Sequence, residues 1–461
     1  MRGSYGRNWS QGRRVAARAR AALGLICVLL SGCSRDDTLE GNRFDIRTPL
    51  EASLPGEDGV FPAQEAEDTE ERTVPISLPA PVNHSEWTHR NGGPAHVIRH
   101  PALGSTLTQI WSVSIGEGDS RRASITADPV VADGRIFTLD AASRVMAHSA
   151  GGAPVWSRDL VPDGERARDA TGGGLAIGDG QLFVTTGFGA LHALDPATGA
   201  VRWTQAFDAP VDGAPTVLGD LVYVTSRDNR AFAVRTENGR LEWQLPGAPT
   251  PSSTLGGAGP AVSDRVVVFP FGSAELVATL RRGGVRVWSA TLAGQRRGRS
   301  YAGFSDITGD PVISGNVVYA GSPSGRIAAL DGTSGERLWT ATEGAMSPVW
   351  PVGGSLFVVT DAGQLVRLDA SDGTTIWATD LPFFQNERPR RRQAVYAHYG
   401  PILAGGRLIV ASDDGFLRSF DPRDGRLMST VEIRGGATTN PVVVNNVLYI
   451  VSTGGRLHAF R

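Results

Sequence analysis

The sequence predicts an all-β protein, specifically an eight-bladed β-propeller of four-stranded antiparallel blades. Glycine is abundant, with 58 of 461 residues and no collagen triplet, and short runs rich in Val, Ile and Leu lie between the glycines. A Gly-x-x-x-Trp pattern recurs along the chain, and the eight positions from Trp111 to Ser429 are spaced by about 45 residues on average. That period is typical of one four-stranded blade per copy.

The first 32 residues predict a lipoprotein signal peptide. Six arginines and no acid precede an apolar run of about ten residues, Ala21 to Leu30, which is too short to span a bilayer. The run ends in Leu30-Ser31-Gly32-Cys33, which resembles the bacterial lipoprotein box, so we expect Cys33 to be acylated and to become the N-terminus. Ser34 follows in the place where aspartate signals inner-membrane retention. The sequence therefore predicts a lipid anchor in the outer membrane, at its periplasmic face.

Charge and cysteine content exclude several classes of function. The formal charge is -2, and removing the six arginines of the signal peptide leaves -8, which argues against nucleic acid as a partner. The sequence contains no lysine, so a Schiff-base lysine and a Walker phosphate loop are excluded. Its two cysteines are Cys27, in the signal peptide, and Cys33. The mature chain therefore has no disulfide, no thiolate nucleophile and no cysteine-ligated metal, and we assign no catalytic, cofactor-binding or metal-binding residue.

Residues 33–102 are predicted to form a flexible tether, because acidic residues alternate with prolines and no apolar period is visible. A coil of about 70 residues would span about 45 Å root-mean-square. One compact cluster, from Trp87 to His100, lies near its end. We expect Trp87 to pack against the domain, since no cysteine or carboxylate shares the spacing of the histidines as a metal site would require. The propeller is predicted over residues 103–461.

Each repeat contains the same succession of strands and turns. In the fifth copy, two β-rich runs flank a Gly315-Asn316 turn and predict a hairpin, and a third strand follows. Asp331 then begins a turn to Gly335, in which the aspartate accepts backbone N–H bonds and the glycine supplies a positive φ. Trp339 follows on the fourth, outer strand. The same turn recurs at Asp195/Gly199, Asp369/Gly373 and Asp421/Gly425. These aspartates are therefore predicted to be structural rather than catalytic.

The two ends of the repeat region predict how the ring closes. The last copy, from Pro441 to Phe460, stops before its turn and its Trp strand, while a strand that carries Trp111 precedes the first full copy. We expect this N-terminal strand to join the C-terminal blade as its outer strand, which removes an open seam between blades. The seven repeated tryptophans are predicted to pack between neighbouring blades and not to form a ligand cage.

These units resemble the pyrroloquinoline-quinone-like repeat family, and eight of them after a lipoprotein box resemble the BamB lipoproteins within it. The resemblance covers residues 109–461. It implies a non-catalytic scaffold or adapter of the outer-membrane β-barrel assembly complex. In that role the chain would bind the periplasmic POTRA domains of a BamA-like barrel protein and assist the folding and insertion of outer-membrane proteins. Unfolded outer-membrane proteins are a further implied partner, and no cofactor is implied.

The resemblance also implies partner-binding residues. The Ser253–Gly257 loop occupies the place of the family's Ser-Leu-Arg-Gly loop, which docks on the POTRA domains. Leu255 and Gly256 match that pattern, but its arginine is missing here, so only an apolar contact is expected. The segment that begins at Ser305 is similar to the family's Ser-Asp-Val-Asp-x-x-Pro-Val, which makes Asp306 the third implied contact. Asp306 could equally cap a turn.

Two other functions stay open at this point. A quinoprotein dehydrogenase of the same repeat family would need a quinone on Ca²⁺ and, usually, a vicinal disulfide. The sequence has no paired cysteines and no coherent set of Glu, Asn and Asp ligands outside the repeated turns. An envelope lipoprotein propeller that binds another protein or a glycan is also consistent with the repeats, since propellers with unrelated tasks share them.

Two arginine-rich loops are predicted to project between blades, because both fall in long intervals between tryptophans. The first contains Arg296, Arg297 and Arg299. The second contains Arg388, Arg390, Arg391 and Arg392. Either they dock an acidic partner surface or anionic headgroups, or they are solvated inter-blade loops.

Overall fold

The computed structural model describes residues 54–55, 74–211, 213–250, 257–292 and 306–461. In these residues the chain forms eight antiparallel sheets of four strands each, arranged as the blades of a propeller. The described residues contain no α-helix, and their short 3-10 turns are Arg90–Gly92, Ala167–Asp169 and Pro389–Arg391. The predicted fold class and blade number are confirmed.

Blades 1 to 7 each take four consecutive strands, ordered here from the innermost to the outermost, and blade 8 combines the last three strands with the first. The strands are β2 (Val130–Ala132), β3 (Arg135–Leu139), β4 (Arg144–Ser149) and β5 (Pro154–Asp159) in blade 1; β6 (Gly173–Gly178), β7 (Gln181–Thr186), β8 (Ala190–Leu194) and β9 (Val201–Ala206) in blade 2; β10 (Thr216–Leu218), β11 (Leu221–Ser226), β12 (Arg230–Arg235) and β13 (Leu241–Pro246) in blade 3; and β14 (Ala261–Val262), β15 (Val266–Pro270), β16 (Glu275–Leu280) and β17 (Arg286–Thr291) in blade 4. They continue as β18 (Gly309–Ser314), β19 (Val317–Ser322), β20 (Arg326–Asp331) and β21 (Arg337–Ala341) in blade 5; β22 (Trp350–Val352), β23 (Ser355–Val359), β24 (Gln364–Asp369) and β25 (Thr375–Asp380) in blade 6; β26 (His398–Ala404), β27 (Arg407–Ser412), β28 (Phe416–Phe420) and β29 (Leu427–Glu432) in blade 7; and β30 (Val442–Val444), β31 (Val447–Ser452), β32 (Arg456–Phe460) and β1 (Gln109–Ser114) in blade 8.

The repeated tryptophan of one blade packs on the repeated turn glycine of the next. A Cβ added to Gly199 would lie 2.5 Å from the indole of Trp156, so only glycine allows the contact, and its φ of +70° also favours glycine. The indole N–H of Trp156 donates to the Pro196 carbonyl of the same turn at 3.0 Å. The same glycine contact is made by Trp111, Trp203, Trp243, Trp288, Trp339 and Trp377, each with the turn glycine of the following blade. The tryptophans therefore join blades, as predicted.

The turn aspartates have the structural role that the sequence predicts. Asp331 Oδ1 accepts the backbone N–H groups of Thr333 at 2.9 Å and Ser334 at 2.8 Å. These N–H bonds lower the pKa of the Asp331 carboxyl. Asp195, Asp369 and Asp421 accept backbone N–H bonds in the same way.

The ring closes where the sequence predicts. Strand β1 pairs antiparallel with β32, and Trp111 lies opposite Ala459. In blade 7, Ser429 stands where the other blades have tryptophan. Blade 8 has no continuous turn to receive an indole there, because its outer strand comes from the other end of the repeat region. Residues 103–108 cross this seam instead, since Arg407 donates to the Gly104 carbonyl and Thr108 exchanges backbone hydrogen bonds with Arg461.

Residues 74–102 differ from the flexible tether that the sequence predicts, because they pack against the propeller. The Trp87 side chain is 1% exposed, and Trp87 exchanges backbone hydrogen bonds with Val131, which confirms its predicted packing role. The rest of the predicted tether, residues 33–73, lies outside the described residues apart from Leu54 and Pro55.

This segment, which we call the plug (residues 74–102), contacts all eight blades at one face. The innermost strands of blades 1 to 5 each donate a backbone N–H to it, from Val131 to Trp87 O, Ile177 to Thr88 O, Val217 to His89 Nε2, Val262 to Pro94 O and Ile313 to Ala95 O. Blades 6 to 8 bind it through Arg367 to Val74 O, Gly406 N to His100 Nε2 and Asn445 N to His84 O. Inner-strand N–H groups that would otherwise face the channel are thereby satisfied, which is why an apparently polar segment orders here.

Candidate partner-binding site

Antiparallel blades give the propeller two distinct faces. The turns between first and second strands and between third and fourth strands lie on one face, which we call the turn face, and the plug covers its centre. The turns between second and third strands, together with the connections from one blade to the next, lie on the opposite face, the connection face. Loops on a rigid scaffold are the usual place for binding residues.

The connection face carries a cleft where blades 3, 4 and 5 meet. Its volume is about 360 Å³, including the part that opens to solvent. The lining residues come from the end of β11 and the β11–β12 turn, from the end of β15 and the β15–β16 turn, and from the connections before β10, β14 and β18. They are Gly213, Thr225, Ser226, Arg227, Asn229, Gly257, Ala258, Pro270, Gly272, Asp306 and Ile307. The cleft is therefore built from three blades rather than from one loop.

Asn229 holds two of these blades in a fixed position. Its Nδ2 donates to the Ala248 carbonyl at 2.6 Å, and its Oδ1 accepts the Gly272 N–H at 3.0 Å. The residue is 3% exposed and has a φ of +59°, a left-handed conformation that asparagine tolerates better than most residues. The β11–β12 turn of blade 3 is thereby fixed against blade 4, so this wall of the cleft is preorganised.

Asp306 lines the wall on the blade 5 side. It is 5% exposed, and the next residue, Ile307, is buried in the core cluster of blades 4 and 5. Thr308 Oγ1 donates to the Ala345 carbonyl at 2.8 Å, which fastens the segment to the connection between blades 5 and 6. The position of Asp306 in the cleft is thus fixed by packing on both sides.

Several predicted residues fall outside the described part of the chain. These are Cys33, Leu255, Gly256 and the arginines of the first loop, Arg296, Arg297 and Arg299. The two residues that directly follow the predicted contacts Leu255 and Gly256 are Gly257 and Ala258, and both line the same cleft as Asp306. The structure therefore brings Asp306 and the end of the Ser253–Gly257 loop to one place, although they are about 50 residues apart in sequence.

The β11–β12 turn belongs to this site, although the sequence did not predict it there. Ser226, Arg227 and Asn229 line the cleft, and Arg230 forms an ion pair with Asp228 at 2.5 Å beside it. A usable signal was present, since Asp228-Asn229 is a strong turn pair. Aligning the repeats would have placed this turn on the same face as the Ser253–Gly257 loop.

At the channel axis, the plug introduces one buried cation between two carboxylates. Arg90 lies 3.2 Å from Asp128 of blade 1 and 3.2 Å from Asp310 of blade 5. Burial raises the pKa of the Asp128 carboxyl, and the Arg90 charge acts against that rise. For Arg90, burial lowers the pKa, but the charges of Asp310 and Asp128 outweigh it and raise the pKa above its usual value. All three groups are therefore engaged with one another.

Among the described residues, no group of three or more His, Cys, Asp or Glu side chains is arranged to hold a metal ion. The same part of the chain forms no helix of the length and apolarity needed to cross a bilayer.

The chain is similar to known proteins in both sequence and fold. A family model described as "Outer membrane protein assembly factor BamB" matches residues 141–379. Curated relatives with that name include one from Shewanella oneidensis, 25% identical over 359 residues that make up 75% of this chain and 87% of the relative. Another, from Xanthomonas campestris, is 28% identical over 380 residues, which cover 80% of this chain and 89% of the relative.

Solved structures with a similar fold include a BamB protein and a quinohemoprotein dehydrogenase. The crystal structure of BamB from Moraxella catarrhalis is 22% identical, with a TM-score of 0.64, and the match covers 77% of this chain and all of that one. A quinohemoprotein alcohol dehydrogenase from Comamonas testosteroni is 15% identical, with a TM-score of 0.61 and coverage of 82% and 80%. Similarity at these identities shows the shared propeller fold alone.

Proposed function

The chain belongs to the family of outer membrane protein assembly factor BamB, and from that premise we propose that it is a non-catalytic adapter of the outer-membrane protein assembly machinery. Its partner is a BamA-like barrel protein, bound through the periplasmic POTRA domains of that protein. By holding this partner the chain assists the folding and insertion of outer-membrane proteins.

The observation that carries the proposal is the cleft on the connection face. Asp306 is one implied contact, and it lies at this cleft together with Gly257 and Ala258, which directly follow the other two implied contacts, Leu255 and Gly256. The cleft has rigid walls, because Asn229 and Thr308 each fasten a wall to the next blade. A preformed site loses little conformational entropy on binding, and a few apolar anchors can supply most of the binding energy.

The contacts of Arg90 support an adapter rather than an enzyme. Asp128 and Asp310 are buried carboxylates near the channel axis, and both bind the guanidinium of the plug. Asp128 also accepts both hydrogen bonds that Asn440 offers, from its backbone and its side-chain amide, each at 2.8 Å. Carboxylates that are already committed to a structural cation are poorly placed to ligate a metal or move a proton.

The binding test uses the purified POTRA region of a BamA-like protein from the same bacterium. We expect Leu255→Asp and Asp306→Ala each to weaken its binding to the full chain by about ten-fold or more, because one loses an apolar anchor and the other a fixed carboxylate. Affinity is measured by titration calorimetry, with thermal unfolding as the check that each variant folds.

The matched control is Val201→Asp, which places an acid on an exposed valine of the outer strand of blade 2, away from the cleft. It should bind like the unaltered chain. If both cleft variants bind as tightly as this control, the cleft is not the docking site.

The lipid anchor is part of the same proposal. Cleavage after residue 32 and acylation of Cys33 would hold the chain at the periplasmic face of the outer membrane. We expect the Cys33→Ala chain to move from the membrane fraction to the soluble periplasmic fraction, because no acyl chains remain to bind the bilayer. Continued sedimentation with outer membranes, in cells that lack the BamA-like partner interaction, would contradict the anchor.

A further inference from the structure

The connection between blades 6 and 7 forms a hairpin that projects from the connection face. Gln385 N donates to Ala394 O at 3.0 Å and Tyr396 N donates to Phe383 O at 2.8 Å, so the two arms pair antiparallel. We call residues 383–396 the arginine hairpin, since it contains all four arginines of the second predicted loop. The second arginine-rich loop is therefore an ordered hairpin, a structure that the sequence did not predict.

The base of the hairpin is fixed by aromatic packing. Phe383 packs so closely on Gly363 that an added Cβ there would lie 2.4 Å from its ring. Phe384 meets Phe383 edge-on at 4.9 Å, and the Arg392 guanidinium lies over the Phe384 ring at 4.7 Å. Arg392 also forms an ion pair with Glu387 at 3.3 Å. Of the four arginines, Arg392 therefore has a structural role.

The other three arginines have none of these contacts. Arg388, Arg390 and Arg391 are exposed at the tip, and among the described residues none of them forms an ion pair. Guanidinium groups suit bidentate binding of carboxylates, and because the hairpin backbone is already ordered, binding costs little loop entropy.

The location of the hairpin favours a protein over a lipid as its ligand. It lies on the face that carries the cleft, so a partner protein held at the cleft faces it, whereas the plug lies on the opposite, turn face. The hairpin tip is also locally basic on a mature chain with a formal charge of -8, so it can attract an acidic surface that the net charge of the chain would repel.

We propose that the arginine hairpin is a second docking element on the connection face, which binds an acidic protein surface of the partner held at the cleft. This inference rests on the proposed function, since it takes the POTRA region as that partner. The cleft would supply the apolar anchor, and the hairpin would supply long-range attraction and orientation.

The test compares two variants that lose the same charge. Arg390→Gln with Arg391→Gln removes two exposed arginines from the hairpin tip, and Arg121→Gln with Arg122→Gln removes two exposed arginines from the blade 8 to blade 1 connection. Binding of the full chain, purified in detergent, to the POTRA region is measured at about 50 mM and about 500 mM salt. We expect the hairpin variant to bind about ten-fold more weakly at low salt and nearly normally at high salt, because salt screens exposed charges. The control should bind normally at both.

The outcomes separate this inference from the proposed function. If the unaltered chain binds the POTRA region and the hairpin variant binds equally well at low salt, this inference is overturned and the proposed function stands. If the unaltered chain does not bind, both are overturned. Capture of phosphatidylglycerol vesicles by the unaltered chain but not by the hairpin variant would assign the hairpin to lipid and also overturn the inference.

Discussion

At the scale of single residues, the turn glycines show how one short motif makes two inter-blade contacts. In each Gly-x-x-x-Trp copy the glycine receives the indole of the preceding blade, and the tryptophan four residues later packs on the following blade. Gly239 and Trp243 are one example, in contact with Trp203 and Gly284 respectively. The motif therefore fixes both neighbours of a blade, which explains why it recurs although the loops around it vary.

A matched pair of glycines tests this contact. Gly239 has a φ of +74° and its added Cβ would lie 2.6 Å from the Trp203 indole, whereas Gly315 has a φ of +61° with nothing within 4 Å. Both alanine variants should lose about 1 kcal/mol to backbone strain. Gly239→Ala should lose about 1 to 3 kcal/mol more from overpacking against the indole. Urea unfolding measures the difference, and equal losses in the two variants would show that the indole contact contributes nothing.

At the scale of elements, the plug shows what the sequence could not reveal. Its contacts with the blades are mostly backbone hydrogen bonds, and these leave no apolar period in the sequence. A buried arginine supports it from the propeller side, since Arg367 is 0% exposed and donates to Val74 O at 2.9 Å. Most other blades have alanine at the position of Arg367, beside the outer tryptophan. Comparing the copies would have flagged this arginine but not its distant partner.

The blades themselves were predictable because their signals are local and repeated. The strand runs, the Asp-to-Gly turn and the outer tryptophan recur within each copy, and the incomplete copies at the two ends predict the pairing of β1 with β32. The cleft was predictable only in part. Asp306 was identified through a family resemblance, whereas Asn229 acts through contacts with Ala248 and Gly272 that need the ring to form first. Non-local contacts of this kind carry no sequence period.

At the scale of the whole molecule, three buried histidines lie in distant parts of the ring and share one electrostatic property. His89 belongs to the plug, His192 to blade 2 and His458 to the closing blade. Burial lowers the pKa of His89 to about 3 and the pKa of His192 and His458 to about 4. In the unfolded chain a histidine has a pKa of about 6.5. The folded state therefore holds all three histidines neutral. Because they lie in the plug, in a blade and in the closing blade, this property is spread over the whole ring.

This difference predicts that acid destabilises the whole propeller. Below pH 6.5 these three histidines bind protons in the unfolded chain but stay neutral in the folded chain. Each histidine therefore lowers the free energy of unfolding as the pH falls toward its folded pKa, by about 2 kcal/mol at pH 5. Burial raises the pKa of Asp128, which acts in the opposite sense, so the test is the difference between variants.

His89→Gln keeps an acceptor for the Val217 N–H and should lose less stability than the unaltered chain between pH 7 and pH 5, as measured by urea unfolding. His84→Gln, at a half-buried histidine of the same plug, serves as the control and should follow the unaltered chain. Parallel pH profiles for all three proteins would show that His89 is not held neutral in the fold.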